Sequence, residues 1–218
     1  MTRPIVVISC LLITISCGSK GTPPKYFTLP PGELSKQVDL TAPIRVDSVD
    51  LSLLEWAIFR ETNYQRRRLG LTPFKFELRL RQAALSHTRE MAELGYFDHF
   101  SPISRNKTVK KRLEQEGIEK GVGGENLAIH PINKRQEIVF RQVAPLESSP
   151  KYAWRNAGTN YTYEEFAEDL VKRWLNSPPH RRNIINRNFK YMGVACVQPE
   201  LQESEVLYVT QNFSSKNY

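Results

Sequence analysis

Two histidines and one glutamate are the side chains of this chain best suited to chemistry: His99, Glu125 and His180. Two imidazoles and a carboxylate are a common ligand set for a metal such as zinc, which keeps its fourth position open in catalytic sites. The same three groups equally suit an acid–base pair. Their spacing forms no local motif such as HExxH, CxxC or GxSxG, so the sequence leaves open whether the three side chains meet.

Glu125 belongs to the stretch GGENLA, where it follows Gly123 and Gly124 and precedes Asn126. Glycine permits backbone conformations and close approaches that larger residues forbid. Three interpretations of Glu125 are open: a reactive acid, a metal ligand, or a buried strut that holds a loop. In the third, Glu125 and Asn126 tie the loop to neighbouring backbone, and a carboxylate that accepts several N–H bonds suits that role.

The hydrophobic pattern predicts the elements that must position these residues. Apolar residues at helical spacing indicate long helices, and glycines after two of them indicate where those helices end. Continuous apolar, β-branched and aromatic runs near the end of the chain indicate strands. The predicted helices are 51–69, 77–94, 108–117 and 163–176, and the predicted strands are 191–198 and 205–213, joined by a turn at 199–204.

A short helix is predicted to begin at Pro178, with Ser177 as its N-cap. His180 then lies in the first turn, where the positive end of the helix disfavours the imidazolium form. Neutral imidazole is the form that binds metal. A nearby Glu125 would oppose this effect. His87, by contrast, falls on the inward face of the helix predicted at 77–94 and is interpreted as a hydrogen-bonded core histidine.

The N-terminus resembles an export signal. A positive Arg3 is followed by the apolar run IVVISCLLITIS, which is too short to cross a membrane and has the length of a signal-peptide core. The run ends at TISCGSK, which resembles the lipobox of a bacterial lipoprotein, although Thr14 stands where leucine is usual. We therefore predict a signal peptide at 1–16 and lipidation at Cys17, with an ordinary secretory signal or an uncleaved anchor as the alternatives.

Two further segments have the composition of connecting sequence. Residues 17–48 are rich in Pro, Lys, Ser and Thr and are interpreted as a lipid-anchored flexible tether. Residues 131–162 lack periodicity and are interpreted as a surface insertion that either covers or extends a groove. Of the three cysteines, Cys10 is lost with the signal peptide and Cys17 is lipidated. Cys196 is then alone and is expected to be a small buried residue.

The composition suits one globular domain with additional sequence: 218 residues, 40% hydrophobic, with a formal net charge of +8. The basic residues are scattered in short clusters. They are not interleaved with aromatics as in nucleic-acid-binding modules, so we expect no nucleic-acid partner and interpret them as a solvated surface. We expect a monomer.

Five sequence blocks, in order, resemble bacterial members of the CAP superfamily, whose SCP domain is shared by cysteine-rich secretory proteins, antigen 5 and plant pathogenesis-related proteins of type 1. The resemblance covers 51–213, and the predicted domain is 49–216. It implies an α+β fold, a three-layer α-β-α sandwich with a small, mainly antiparallel sheet. The blocks are NYQRRRLGLTPF, LRQAALSHTREMAELGYFDHFSP, GGENLA, LVKRWLNSPPHRRNIINRNFKYMGVAC and YVTQNF.

The resemblance also implies a site. Family members place two histidines and two acids in a solvent-facing cleft that binds a divalent metal in some of them. Motif by motif, the histidines fall on His99 and His180, and the first acid falls on Glu125. The second acid is replaced by Ser177. A hydroxyl cannot replace a carboxylate as general base and is a poor zinc ligand, so this departure weakens both a metal role and a hydrolytic role.

Two classes of function follow. The first is an exported, membrane-anchored binding module of the bacterial cell envelope, whose groove takes a lipid, a peptide or a partner protein. In it, the incomplete cluster is structural or binds a divalent cation such as zinc weakly. The alternative is a metal-assisted hydrolase or protease that uses His99, Glu125 and His180. We favour the binding module, because no nucleophile is evident.

Overall fold

The computed structural model describes residues 21–119, 121–134, 159–199 and 205–216. Helices and strands are mixed along this part of the chain. The helices are α1 (Lys25–Thr28), α2 (Pro31–Gln37), α3 (Leu51–Arg68), α4 (Leu78–Leu94), α5 (Val109–Gln115), α6 (Tyr163–Asn176) and α7 (Pro178–Ile184). The strands are β1 (Lys75–Phe76), β2 (Gly123–Pro131), β3 (Tyr191–Val197) and β4 (Val206–Ser214).

Local caps explain where the long helices begin and end. The Asp50 side chain accepts a bond from the Leu53 amide at the start of α3. Gly95 ends α4 in the left-handed conformation, with φ of 67°, which favours glycine. Thr162 and Glu165 form a capping box at the start of α6. The long helices predicted from periodicity are therefore confirmed to within a residue or two.

The four strands form one sheet in the order β1-β3-β4-β2. The β3–β4 and β4–β2 pairs are antiparallel, and only the short β1 runs parallel to β3. The sheet is thus mainly antiparallel, as the resemblance implies. β1 was not predicted, because two residues give no alternation to detect.

Alternate residues of β4 show that helices cover both faces of the sheet. Gln211 donates to Thr62 of α3 at 2.8 Å, whereas Thr210 accepts from Thr88 of α4 at 2.7 Å. Successive side chains of a strand point to opposite faces. The hydrophobic clusters agree: α3, α6 and α7 pack on one face, and α4 with α5 on the other. The three-layer α-β-α sandwich is confirmed.

Residues 17–48 were interpreted as a flexible tether. From residue 24 onward this interpretation is corrected, because that part is folded onto the domain. Tyr26 and Ile44 are buried in the main core. The Tyr26 hydroxyl donates to Asp50 at 2.9 Å, and the Phe27 ring stacks on Phe76 at 4.0 Å. A few aromatic residues anchor this Pro- and Lys-rich segment, so its composition wrongly indicates a flexible tether.

Several predictions lie partly or wholly outside the described residues: the signal peptide at 1–16, Cys17, the turn at 199–204 and most of the insertion at 131–162. The two flanks of the insertion are described, and they pair. Tyr161 donates its amide to the Ile132 carbonyl at 2.8 Å, and Asn133 forms a bridge with Asn160. Within the described residues, no helix has the length and apolar character needed to cross a bilayer.

Candidate functional site

Glu125 lies in β2, the edge strand of the sheet, and not in a loop as its glycine-rich surroundings suggested. The glycine before it is required by close packing. A Cβ on Gly124 would lie 2.8 Å from the Asn183 amide oxygen and 3.0 Å from the Phe189 ring. Glycine and asparagine are unusual in strands, so their presence concealed β2 from prediction.

Both oxygens of the Glu125 carboxylate are engaged, and the side chain is buried. One accepts from His99 Nδ1 at 2.8 Å, and the other accepts from Arg112 Nη2 at 2.7 Å. The guanidinium of Arg112 is buried as well, with 2% of its side chain exposed. The Glu125 carboxylate therefore joins a strand, a helix and a loop, which is the arrangement that the third interpretation requires.

Arg112 is the site residue that sequence reasoning missed. It belongs to α5, and besides Glu125 it donates to the Asn106 carbonyl at 2.8 Å and to the His99 carbonyl at 3.2 Å. In the sequence it follows two lysines that are exposed. No local signal distinguishes it from them, because its burial depends on the packing of α5 against α4.

A second buried carboxylate, Glu90 of α4, holds the loop that carries His99. It accepts hydrogen bonds from Tyr96, Ser101 and Asn106, which span that loop. Burial raises the pKa of Glu90, but the bonds from Ser101, Tyr96 and Asn106 outweigh burial and leave the pKa below its usual value. The carboxylate is therefore ionised and anchors the loop at three points.

His87 is a buried, hydrogen-bonded core histidine, as predicted. Its Nε2 lies 3.0 Å from the Asp98 carbonyl, so this nitrogen donates to the residue next to His99. Burial lowers the pKa of His87 and favours the neutral ring.

Cys196 is buried, as expected, and burial raises the pKa of its thiol well above the ordinary value, which makes the thiol unreactive.

His180 reaches the site from the opposite helical layer. It lies in the first turn of α7, as predicted, and is half-buried. Its pKa is lowered first by burial and then, to a smaller extent, by the charge of His99. The sequence left the direction open between the helix end and Glu125, and burial is the main cause of the lowering. His99 contacts Glu125 on one side of β2, and the His180 carbonyl contacts Asn126 on the other side.

Two asparagines fix α7 against β2. Asn183 donates to the Glu125 carbonyl at 3.0 Å and to the Asn126 side chain at 2.9 Å. Asn126, fully buried, donates to the His180 carbonyl at 3.3 Å. Trp174 of α6 donates to the Leu127 carbonyl at 3.0 Å. These bonds also satisfy carbonyls of β2 that face away from the sheet, which protects an edge strand.

Ser177 lies between α6 and α7 and is half-buried. It occupies the N-cap position of α7, but its hydroxyl makes no capping bond. Within the described residues, no three His, Cys, Asp or Glu side chains are placed to hold one metal ion. At Glu125, both carboxylate oxygens already accept hydrogen bonds, one from His99 and one from Arg112.

Comparison with known proteins found chains of similar sequence. The family model "CAP: Cysteine-rich secretory protein family" matches residues 59–213. The protein YkwD of Bacillus subtilis is 28% identical over 148 residues, which are 68% of this chain and 44% of YkwD. The membrane protein YlbC of the same species is 25% identical over 152 residues, 70% of this chain and 32% of YlbC. The chain thus spans less than half of each of these relatives.

Two solved structures share the fold. An extracellular SCP-domain protein from Bacillus anthracis superposes with a TM-score of 0.51 at 23% identity, covering 75% of this chain and 40% of that protein. An outer surface protein from Borrelia burgdorferi superposes with a TM-score of 0.53 at 16% identity, covering 76% of this chain and 95% of that protein.

Proposed function

Because the chain belongs to the CAP family of cysteine-rich secretory proteins, we propose that it is an exported binding module of the bacterial envelope, anchored through a lipid on Cys17. Its ligand is a lipid, a peptide or a partner protein that contacts the cleft which the family resemblance implies at His99 and His180. Export is supported by the apolar N-terminal run that ends at Cys17. It is also supported by the extracellular and outer-surface locations named for two proteins of this fold.

The observation that carries the proposal is the state of Glu125. A general base needs a carboxylate oxygen free to accept a proton from substrate or water. Here both oxygens already accept hydrogen bonds, one of them from a buried guanidinium. Ser177 supplies no second carboxylate. The cluster is therefore built to hold His99 and the edge strand in place, and the recognition surface is built upon it.

A divalent metal is not required for this function, and the residues do not fit one. A zinc ion bound to His99, Glu125 and His180 would lie beside the positive Arg112 and would have to displace a bond from Glu125. The ring nitrogens of the two imidazoles instead suit hydrogen bonding to a polar group of a ligand. His99, with 48% of its side chain exposed, and the half-buried His180 offer both donors and acceptors there.

Native mass spectrometry of the full chain, extracted from bacterial envelopes in mild detergent, tests the proposal. We expect a co-purified ligand and a mass increase on the mature N-terminus that Cys17→Ser removes. His180→Ala should reduce ligand occupancy several-fold. Arg182→Ala, an exposed position on the same helix, is the matched control and should not.

Two results would overturn the proposal. The first is a rise in melting temperature with saturating zinc that is abolished by the double substitution His99→Ala with His180→Ala, which would establish a metal site. The second is turnover of peptide, ester or glycan substrates that the same double substitution abolishes, which would establish the hydrolase alternative.

A further inference from the structure

The loop that carries His99 exposes an unusual number of apolar side chains. Between α4 and α5, Phe97, Phe100 and Ile103 are 40%, 63% and 37% exposed, and Leu94 at the end of α4 is 55% exposed. Single exposed apolar residues are ordinary on protein surfaces, but several within ten residues mark an interaction site. We call residues 94–103 the apolar loop.

The exposure of these side chains is imposed by the fold. Glu90 fixes Tyr96, Ser101 and Asn106, so the loop is pinned on both sides of Phe97 and Phe100. His87 holds the Asp98 carbonyl between the two phenylalanines. A loop anchored in this way cannot turn its apolar side chains inward, and it presents them with little loss of conformational freedom on binding.

Cationic side chains continue directly from the apolar loop. Arg105, Lys107, Lys110 and Lys111 are all exposed. Lys111 reaches back to the loop, where its Nζ lies 2.9 Å from the Ser104 carbonyl. Between residues 97 and 111 the single carboxylate is Asp98. Glu114 pairs with Lys110 at 3.5 Å, and the remaining cations leave this part of the surface with a net positive charge.

We propose that the apolar loop docks on an anionic lipid surface, with Phe97 and Phe100 entering the interface and the neighbouring cations contacting the headgroups. Aromatic tips beside Lys and Arg are typical of segments that lie in a membrane interface. Each Lys or Arg near an anionic bilayer strengthens binding by about five-fold. The match between the charge of the loop and that of the lipid is the reason for choosing this partner.

Two other partners fit less well. A stable protein interface buries about 800 Å² of total surface on each partner. Four exposed side chains of one loop present far less surface than that. A second copy of this chain would bring two cationic loops together, which like-charge repulsion opposes. A bilayer, by contrast, accepts a small apolar tip.

This docking goes beyond the proposed function, since it requires neither the lipid on Cys17 nor a ligand in the cleft. It also sets the orientation of the domain. His99 lies between Phe97 and Phe100 in the chain, so a docked loop places the mouth of the site at the lipid surface. A ligand drawn from the bilayer would then have a direct path to the cleft.

A tryptophan reporter tests the docking locally, independently of any other membrane attachment. The full chain with Phe100→Trp is mixed with phosphatidylcholine vesicles that contain or lack phosphatidylglycerol. We expect a blue shift of the added emission and quenching by brominated acyl chains on the anionic vesicles, both reversed by salt. Tyr64→Trp is the matched control: Tyr64 is 48% exposed on α3, in the opposite helical layer, and its reporter should stay in water.

A second pair of variants measures affinity by vesicle sedimentation. The double substitution Phe97→Ser with Phe100→Ser should weaken binding to anionic vesicles by at least ten-fold, and Arg105→Ser with Lys107→Ser should reduce its salt dependence. Circular dichroism verifies that each variant is folded. An unshifted Phe100→Trp emission on vesicles that sediment with the protein would overturn the proposal. So would an equal shift on neutral vesicles, or a shift without vesicles that grows with protein concentration.

Discussion

Glu125→Gln tests whether the cluster is a structural strut. The substitution removes the negative charge that faces Arg112, whose side chain is 2% exposed. Breaking a buried ion pair by removing one partner costs about 3–5 kcal/mol, because the other charge stays buried. Arg112 keeps two carbonyl acceptors, on His99 and Asn106, which places the expected loss near the lower end, about 3 kcal/mol.

Urea denaturation followed by circular dichroism measures this loss directly. For a domain of this size, about 3 kcal/mol corresponds to a melting temperature lowered by roughly 6–12 °C. The double variant Arg112→Leu with Glu125→Gln removes both charges, and we expect it to regain at least about 1 kcal/mol relative to Glu125→Gln. Glu114→Gln is the matched control on α5, since its exposed pair with Lys110 is worth less than about 1 kcal/mol.

The strut interpretation is refuted by one pattern. If the free energy of unfolding of Glu125→Gln lies within about 0.5 kcal/mol of that of the parent chain, the ion pair with Arg112 does not hold β2 and α5 together. A retained fold with loss of a measurable turnover would then return Glu125 to a chemical role. Recovery in the double variant, by contrast, would show that the buried charge of Arg112 causes the loss.

Three further predictions concern the supports of the site. Gly124→Ala should destabilise the domain by about 1–3 kcal/mol, because the added Cβ meets α7 at 2.8 Å; melting temperature measures it. Trp174→Phe should cost about 1 kcal/mol through the lost bond to the Leu127 carbonyl, measured by urea denaturation. Neutral His87 should contribute fully to the stability of the folded domain above its unfolded pKa of 6.5. This stability should be lost as the pH falls through the lower folded pKa, because the unfolded chain binds the proton more readily. Urea denaturation across that pH range should show a shallower fall for His87→Gln.

Each of these has a result that would contradict it. Gly32→Ala, where an added Cβ meets nothing within 4 Å, should be near neutral, and an equal loss there would show that the Gly124 effect is not steric. A Trp174→Phe variant as stable as the parent would mean that the indole bond is replaced by water. An unchanged pH profile in His87→Gln would assign the acid sensitivity to other groups, and His180 is the first to examine because its pKa is lowered too.

The parts of the fold that were predicted correctly are those with a strong local pattern. α3 and α4 show apolar residues at helical spacing and end near glycines; β3 is a continuous apolar run, and β4 is rich in β-branched and aromatic residues. The first part of the chain was misjudged because Pro, Lys and Ser dominate its composition. Its few apolar residues, Tyr26 and Ile44 among them, are nevertheless enough to bind it to the core.

The sequence by itself determined the family and the order of the long helices, and it predicted His99, Glu125 and His180 as corner residues of a site. Only the tertiary structure decided how they are used. Glu125 meets Arg112 because α5 packs on the same face of the sheet to which Glu125 points, and His180 arrives from the other face across the edge strand. Sheet register and helix packing set such partners, and the spacing of residues along a chain does not encode them locally.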